Sequence, residues 1–124
     1  MATIELTSEN FNATIQNNAI VIIDFWAEWC GPCKSFAPTF DLFSEKYPDV
    51  VFAKVDTEHQ TELAQSCQIR SIPTLMLFRE QILLFNQAGA LAPAQLADVL
   101  DKVKQLDMHQ VKASIKQQQD TATE

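Results

Sequence analysis

The sequence predicts an α/β domain: one mixed five-stranded sheet, in the order βαβαβ then ββα, with helices on both faces and a short C-terminal extension. Three observations carry that reading. Apolar, β-branched runs alternate with segments of helical period, the pattern of strands joined through helices. The run AIVIIDFW (19–26) is almost continuously apolar, which suits a central strand covered on both sides. Near the end, PTLMLF (73–78) and ILLFNQ (82–87) lie too close together for a crossover helix, so they pair as an antiparallel hairpin.

Each element has its own signal. TIEL (3–6) is a short first strand, and Thr7 or Ser8 offers an N-cap to a helix with Phe11 and Ile15 on one face. The central strand follows, then a glycine-proline turn. From Cys33 onward, Phe36, Phe40, Phe43 and Tyr47 recur at helical spacing, with Pro38 inside the helix and expected to bend it. DVVFAKVD (49–56) is the third strand. TEHQTELAQSCQ (57–68) reads as a helix with Thr57 and Gln60 as a capping box. After the hairpin, PAQLADVLDKVKQL (93–106) has Pro93 at its start and Leu96, Val99, Leu100 and Val103 on one face. Strands joined through helices run parallel by right-handed crossovers, and the hairpin closes the sheet antiparallel. Residues 1–106 thus form one domain and 107–124 an extension. There Asp107 offers a second N-cap, and a weak stripe of Met108, Val111 and Ile115 allows a short helix before a polar tail expected to be mobile.

Composition narrows the function. With 124 residues and 47% apolar residues, the chain can bury a core without staples. A net charge of −7 with no basic block argues against nucleic acid and against an anionic membrane surface. No apolar run is long enough to span a membrane, and MATIELTSEN lacks a basic, then apolar, leader, so the expected compartment is the cytoplasm. There thiols stay reduced, and three cysteines are a poor framework for structural bridges.

That bears on FWAEWCGPCKSF (25–36), where Cys30 and Cys33 stand two residues apart. Three readings compete: half a metal site, a structural staple, or a pair that opens and closes. Compartment and cysteine count weigh against the staple. Zinc needs a second close ligand pair, and Cys67 and His59 are too irregularly spaced to supply it. The redox reading has a mechanism. Cys30 ends the loop before the second helix, where unpaired N–H groups and the positive end of the helix dipole stabilise a thiolate. Pro32 tolerates the first helical turn because its missing N–H costs nothing there. Gly31 has no side chain to obstruct an incoming disulfide. Cys33, on the first turn, can close on Cys30, so thiolate attack gives a mixed disulfide that Cys33 resolves.

IIDFWAEWCGPCK resembles the active-site segment of the thioredoxin family. FAKVD, IRSIPTL and AGAL resemble that family's other fixed points, in order, over about residues 3–106. The resemblance implies the thioredoxin fold and a protein-disulfide reductase active in cell redox homeostasis. Cys30 would be its nucleophile, Cys33 its buried resolving thiol, and the two its redox-active disulfide. Asp24 matches a buried aspartate that exchanges a proton with the resolving cysteine, and Lys54 a lysine beside it. Burial by itself should raise the pKa of such a carboxyl. Pro73 matches a cis-proline, preceded by Ile72 with backbone groups for an extended substrate. Trp29, Gly31, Pro32, Ile72, Pro73, Gly89 and Ala90 would form the substrate-docking surface. Re-reduction by an NADPH-dependent flavoprotein, thioredoxin reductase, is implied, as is a monomer that binds no cofactor and no metal.

Several residues keep a plain reading. Lys54 alternates with apolar neighbours, as a solvent-facing strand residue also would, and Trp26 reads as core. Cys67 lies four residues after Leu63, the place of a small buried side chain, although a regulatory thiol stays open. His59 reads as a solvated helix-start residue. FREQIL lacks the glycine common in this hairpin, Ser71 stands where glycine is frequent, and Thr57 replaces a bulkier apolar residue.

Overall fold

The computed structural model describes residues 2–122. Its sheet has the order β1-β3-β2-β4-β5: β1 (Thr3–Glu5), β2 (Ile20–Trp26), β3 (Val51–Asp56), β4 (Thr74–Arg79) and β5 (Ile82–Ala88). β3 runs parallel to both β1 and β2, whereas β4 is antiparallel to β2 and to β5. The helices are α1 (Phe11–Asn17), α2 (Gly31–Lys46), α3 (Thr61–Ser66), α4 (Pro93–Gln105) and α5 (Met108–Ala122).

The alternation of β2 sorts the core into two layers. Ile20 and Ile22 pack with Phe36, Phe40 and Phe43 of α2 and with Leu96, Leu100 and Val103 of α4. Val21, Ile23 and Phe25 pack on the opposite face with Ile15 of α1 and Leu63 of α3. The strand is therefore buried on both faces, as its unbroken apolar run requires. Phe40 meets Phe52 edge-on, ring centroids 5.1 Å apart. α2 runs through Pro38 without a break.

Two expected helix starts move. Thr7 caps the turn ahead of α1 rather than α1 itself: its hydroxyl accepts the Glu9 N–H at 3.2 Å, the side-chain oxygen of Asn10 accepts the Thr7 N–H at 2.7 Å, and the Thr7 carbonyl accepts the N–H of Phe11 at 3.0 Å. These bonds make a turn, and α1 begins only after it. The Thr57–Gln60 capping box does not form either. Thr57 is tied to the end of β2, its hydroxyl donating to the Trp26 carbonyl at 3.0 Å, and the Gln60 side chain accepts the Ser8 N–H at 3.2 Å. α3 therefore starts at Thr61. β3 begins at Val51 rather than residue 49.

The hairpin joins β4 to β5 through Glu80 and Gln81, at φ 51° and 70°. Positive φ at both central residues is the turn whose twist suits a two-residue hairpin, and glycine or asparagine normally fills it. The extension is longer than the short helix expected: α5 is helical to Ala122, and of the expected tail residues 123 and 124 lie outside the described residues. Met108 buries its side chain, Lys112 pairs with Glu80 at 2.5 Å, and Arg79 donates to the Val103 and Leu106 carbonyls at 2.8 and 3.0 Å. The α4–α5 elbow is thus fastened to the hairpin.

Candidate active site

β2 ends at Trp26, and a four-residue turn delivers Cys30 to the N-cap of α2. Cys30 is in extended conformation (φ −88°, ψ 110°), and Pro32 occupies the first turn. The backbone N–H of Cys33 donates to Cys30 Sγ at 3.2 Å. The helix therefore offers its unpaired N–H groups to the Cys30 sulfur, where they stabilise a thiolate. The two cysteines are joined as a disulfide, with Cα atoms 5.2 Å apart. Both are buried among Ala27, Trp26 and Ile72. Gly31 is exposed, with no atom within 4 Å of where a Cβ would stand, so approach over it is open.

Asp24 is fully buried and shares its sheet face with Ile20 and Ile22, toward α2. Neither carboxylate oxygen has a hydrogen-bond partner among the described residues. Desolvation raises its pKa from the usual 3.8 to about 7, with Lys54 pulling it down and Asp41 of α2 pushing it further up. Lys54 is the direct cross-strand neighbour of Asp24 on β3, and its ammonium lies 5.4 Å from the centroid of the Trp26 ring. It is half-buried rather than free in solvent. Trp26 Nε1 and Asp41 Oδ1 are also buried without partners among the described residues.

The Ile72–Pro73 peptide bond is cis. Among the described residues no hydrogen bond engages the backbone of Ile72, while the Pro73 carbonyl accepts the N–H of Gly89 at 2.8 Å. Gly89 has φ +101°, a conformation that favours glycine, and is exposed along with Ala90. Trp29 is 69% exposed, and its indole N–H donates to Glu58. Glu58 in turn donates its backbone N–H to Asp56 at 3.0 Å, and Asp56 holds His59 Nδ1 at 2.7 Å. That hydrogen bond raises the pKa of the exposed His59 imidazole.

An open groove of about 440 Å3 runs beside Trp29 and Ile72. Its far wall is Thr61, Ala64 and Gln65 of α3, with Ile69 and Arg70 of the following loop. Of the expected docking residues, Trp29 and Ile72 line it; Gly31, Pro32, Pro73, Gly89 and Ala90 lie outside its lining. The α3 wall was missed because those residues read only as an ordinary helix. Asp41 was missed too, since an acidic residue on an amphipathic helix carries no mark of burial. Cys67 sits at the C-terminus of α3, half-buried against the core beneath it, and burial pushes its thiol pKa up. Among the described residues no group of three or more His, Cys, Asp or Glu is placed to hold a metal ion, and no helix is long and apolar enough to cross a membrane.

Comparison with known proteins agrees with this geometry. The thioredoxin family profile matches residues 2–102. A putative thioredoxin 2 of Streptomyces coelicolor is 54% identical over 118 residues, covering 95% of this chain and 88% of its own. Thioredoxin C-3 of Corynebacterium nephridii is 45% identical over 80% of this chain and 69% of its own. The solved Plasmodium falciparum thioredoxin superposes with a TM-score of 0.74 at 34% identity, over 81% of this chain and 97% of that one. Matched over most of its length, with its cysteine pair closed at the head of α2, the chain belongs to the thioredoxin family and is a protein-disulfide oxidoreductase.

Proposed function

We propose that Cys30 attacks substrate disulfides and Cys33 releases the product, with Asp24 and Lys54 managing the proton. The hydrogen bond from the Cys33 N–H to Cys30 Sγ carries the assignment, because it marks Cys30 as the sulfur whose negative charge the helix stabilises. The Cys30 thiolate attacks one substrate sulfur, forming a mixed disulfide and expelling the other as a thiolate. Cys33 then gives its proton to the Asp24 carboxylate and attacks Cys30 Sγ, which releases the second substrate sulfur. Two electrons reach the substrate, and Cys30 and Cys33 are left as the disulfide. An ionised carboxyl with a pKa of about 7 is matched to accept a proton at neutral pH. Lys54, across the ladder, steadies the carboxylate charge.

Substrates are folded proteins presenting an exposed disulfide. Trp29, Gly31 and Pro32 on one side and Ile72, Pro73, Gly89 and Ala90 on the other form the surface against which they dock, the free backbone groups of Ile72 pairing with an extended segment. The dithiol is regenerated by an NADPH-dependent flavoprotein, thioredoxin reductase, and the protein works as a monomer in the cytoplasm. Residues 1–106 are the catalytic domain and 107–124 an extension to it. The extent of the family match supports that division.

NADPH-coupled reduction of a model protein disulfide, with a bacterial thioredoxin reductase, tests the reading. Wild type should turn over and Cys30→Ser should not; an inactive wild type, with this reductase and with a small dithiol in its place, would contradict it.

A further inference from the structure

Trp29 stands between two recesses of opposite charge. On one side lies the groove bounded by α3, in which Arg70 is the only charged side chain among the described residues that line the wall. Arg70 is exposed, and its guanidinium has no ion-pair or hydrogen-bond partner among the described residues. On the other side a second recess is lined by Glu28, Asp56 and Glu58, with Lys34 and His59. Three carboxylates against one lysine and one histidine leave that side acidic. Glu58 and Asp56 are already committed, to Trp29 and to His59 respectively, so their charges are held in place.

An acidic residue of a substrate placed over the second recess meets like charge. Placed in the groove it meets an unpartnered guanidinium, which grips carboxylate oxygens in a two-pronged geometry that an ammonium cannot copy. The other described residues that line the groove are apolar or neutral (Ala64, Ile69 and Ile72 among them), so Arg70 is the charge a carboxylate meets on its wall.

We infer that Arg70 is a specificity-determining residue: the groove selects disulfide substrates that carry an aspartate or glutamate on the α3 side of the cysteine under attack. The inference rests on the reductase reading above and names a preferred substrate class for it. No change in the chemistry at sulfur is involved, only the residence of the encounter complex before thiolate attack.

The test uses disulfide-linked peptides carrying aspartate or asparagine two residues before the reacting cysteine, and a second pair carrying it two residues after. The readout is the aspartate-to-asparagine ratio of kcat/KM within each pair, in which any inactive fraction of enzyme cancels. In wild type, one of the two placements should give a ratio of about three, the size of an exposed ion pair. That ratio should fall toward one as salt is raised. Arg70→Gln should bring it to about one, Arg70→Lys should restore part of it, and Arg70→Glu should invert it. Ratios near one for both placements in wild type, or a ratio that Arg70→Gln leaves standing, would overturn the inference while the reductase reading survives. Failure to reduce any of the peptides would overturn both.

Discussion

Asp24 is a carboxyl without a hydrogen-bond partner among the described residues, in a strand that is otherwise apolar, and its pKa of about 7 makes fold stability depend on pH. The folded pKa is raised, so the fold favours the neutral acid. Below about pH 4 the group is protonated whether folded or not and contributes no pH-dependent difference. Between about pH 4 and about pH 7 the unfolded chain ionises first, and the fold loses stability as pH rises. The whole loss is about 4 kcal/mol, reached above the folded pKa. Asp24→Asn removes this dependence. The stability of the variant relative to wild type, from urea unfolding, should rise by about 4 kcal/mol between about pH 4 and about pH 8. Its turnover at neutral pH should fall, because the proposed mechanism has Cys33 give its proton to Asp24. A difference in stability that does not move with pH would contradict the burial. Asp24 was legible in the sequence because a lone acid among β-branched residues is conspicuous. Asp41 was not: on a helix, an inward carboxyl and an outward one look alike until the packing partner is known.

At the scale of elements, the sheet and the long helices could be read from periodicity, because β2, α2 and α4 each bury a face large enough to dictate their pattern. Short elements could not. α1 and α3 start where side chains with two uses choose between them: Thr7 and Asn10 close a turn on each other, and Thr57 anchors to β2 instead of capping a helix. Caps compete with turns for the same hydroxyl and amide groups, and only the tertiary neighbours decide. The β4–β5 turn is a clearer case of local conflict, with Glu80 and Gln81 both at positive φ. A left-handed residue other than glycine costs about 1 kcal/mol. Gln81→Gly should therefore raise stability by about 1 kcal/mol, seen as a higher urea midpoint at unchanged slope. Glu80 is left alone in that variant because it also holds Lys112. An unchanged or lower midpoint would refute the strain.

Over the whole molecule, the catalytic end and the extension are fastened at different places. Cys30, Cys33 and the cis-proline segment gather where β2 leads into α2, whereas α5 is tied to the β4–β5 hairpin through Met108, Lys112 and the Arg79 bonds to the α4–α5 elbow. The family profile ends at residue 102, yet the Streptomyces coelicolor relative is matched over 95% of this chain, so the alignment reaches into α5. The sequence showed only a weak apolar stripe there, since a helix with a single buried apolar side chain among its described residues, Met108, leaves little pattern. A chain ending at Leu106 should lose about 2 kcal/mol of stability, for the lost burial of Met108, and should keep its disulfide reduction within about twofold. Reduction lost in proportion to α5 would instead make the extension part of the catalytic unit.

The order of the two sulfurs is the central claim, and it can be read from one trapped species. Cys33→Ser protein, mixed with an excess of a protein carrying an exposed disulfide, should accumulate a covalent complex. Peptide mapping by mass spectrometry should place its substrate bridge on Cys30. A bridge on Cys67, or no complex from Cys33→Ser while Cys30→Ser traps through Cys33, would contradict it.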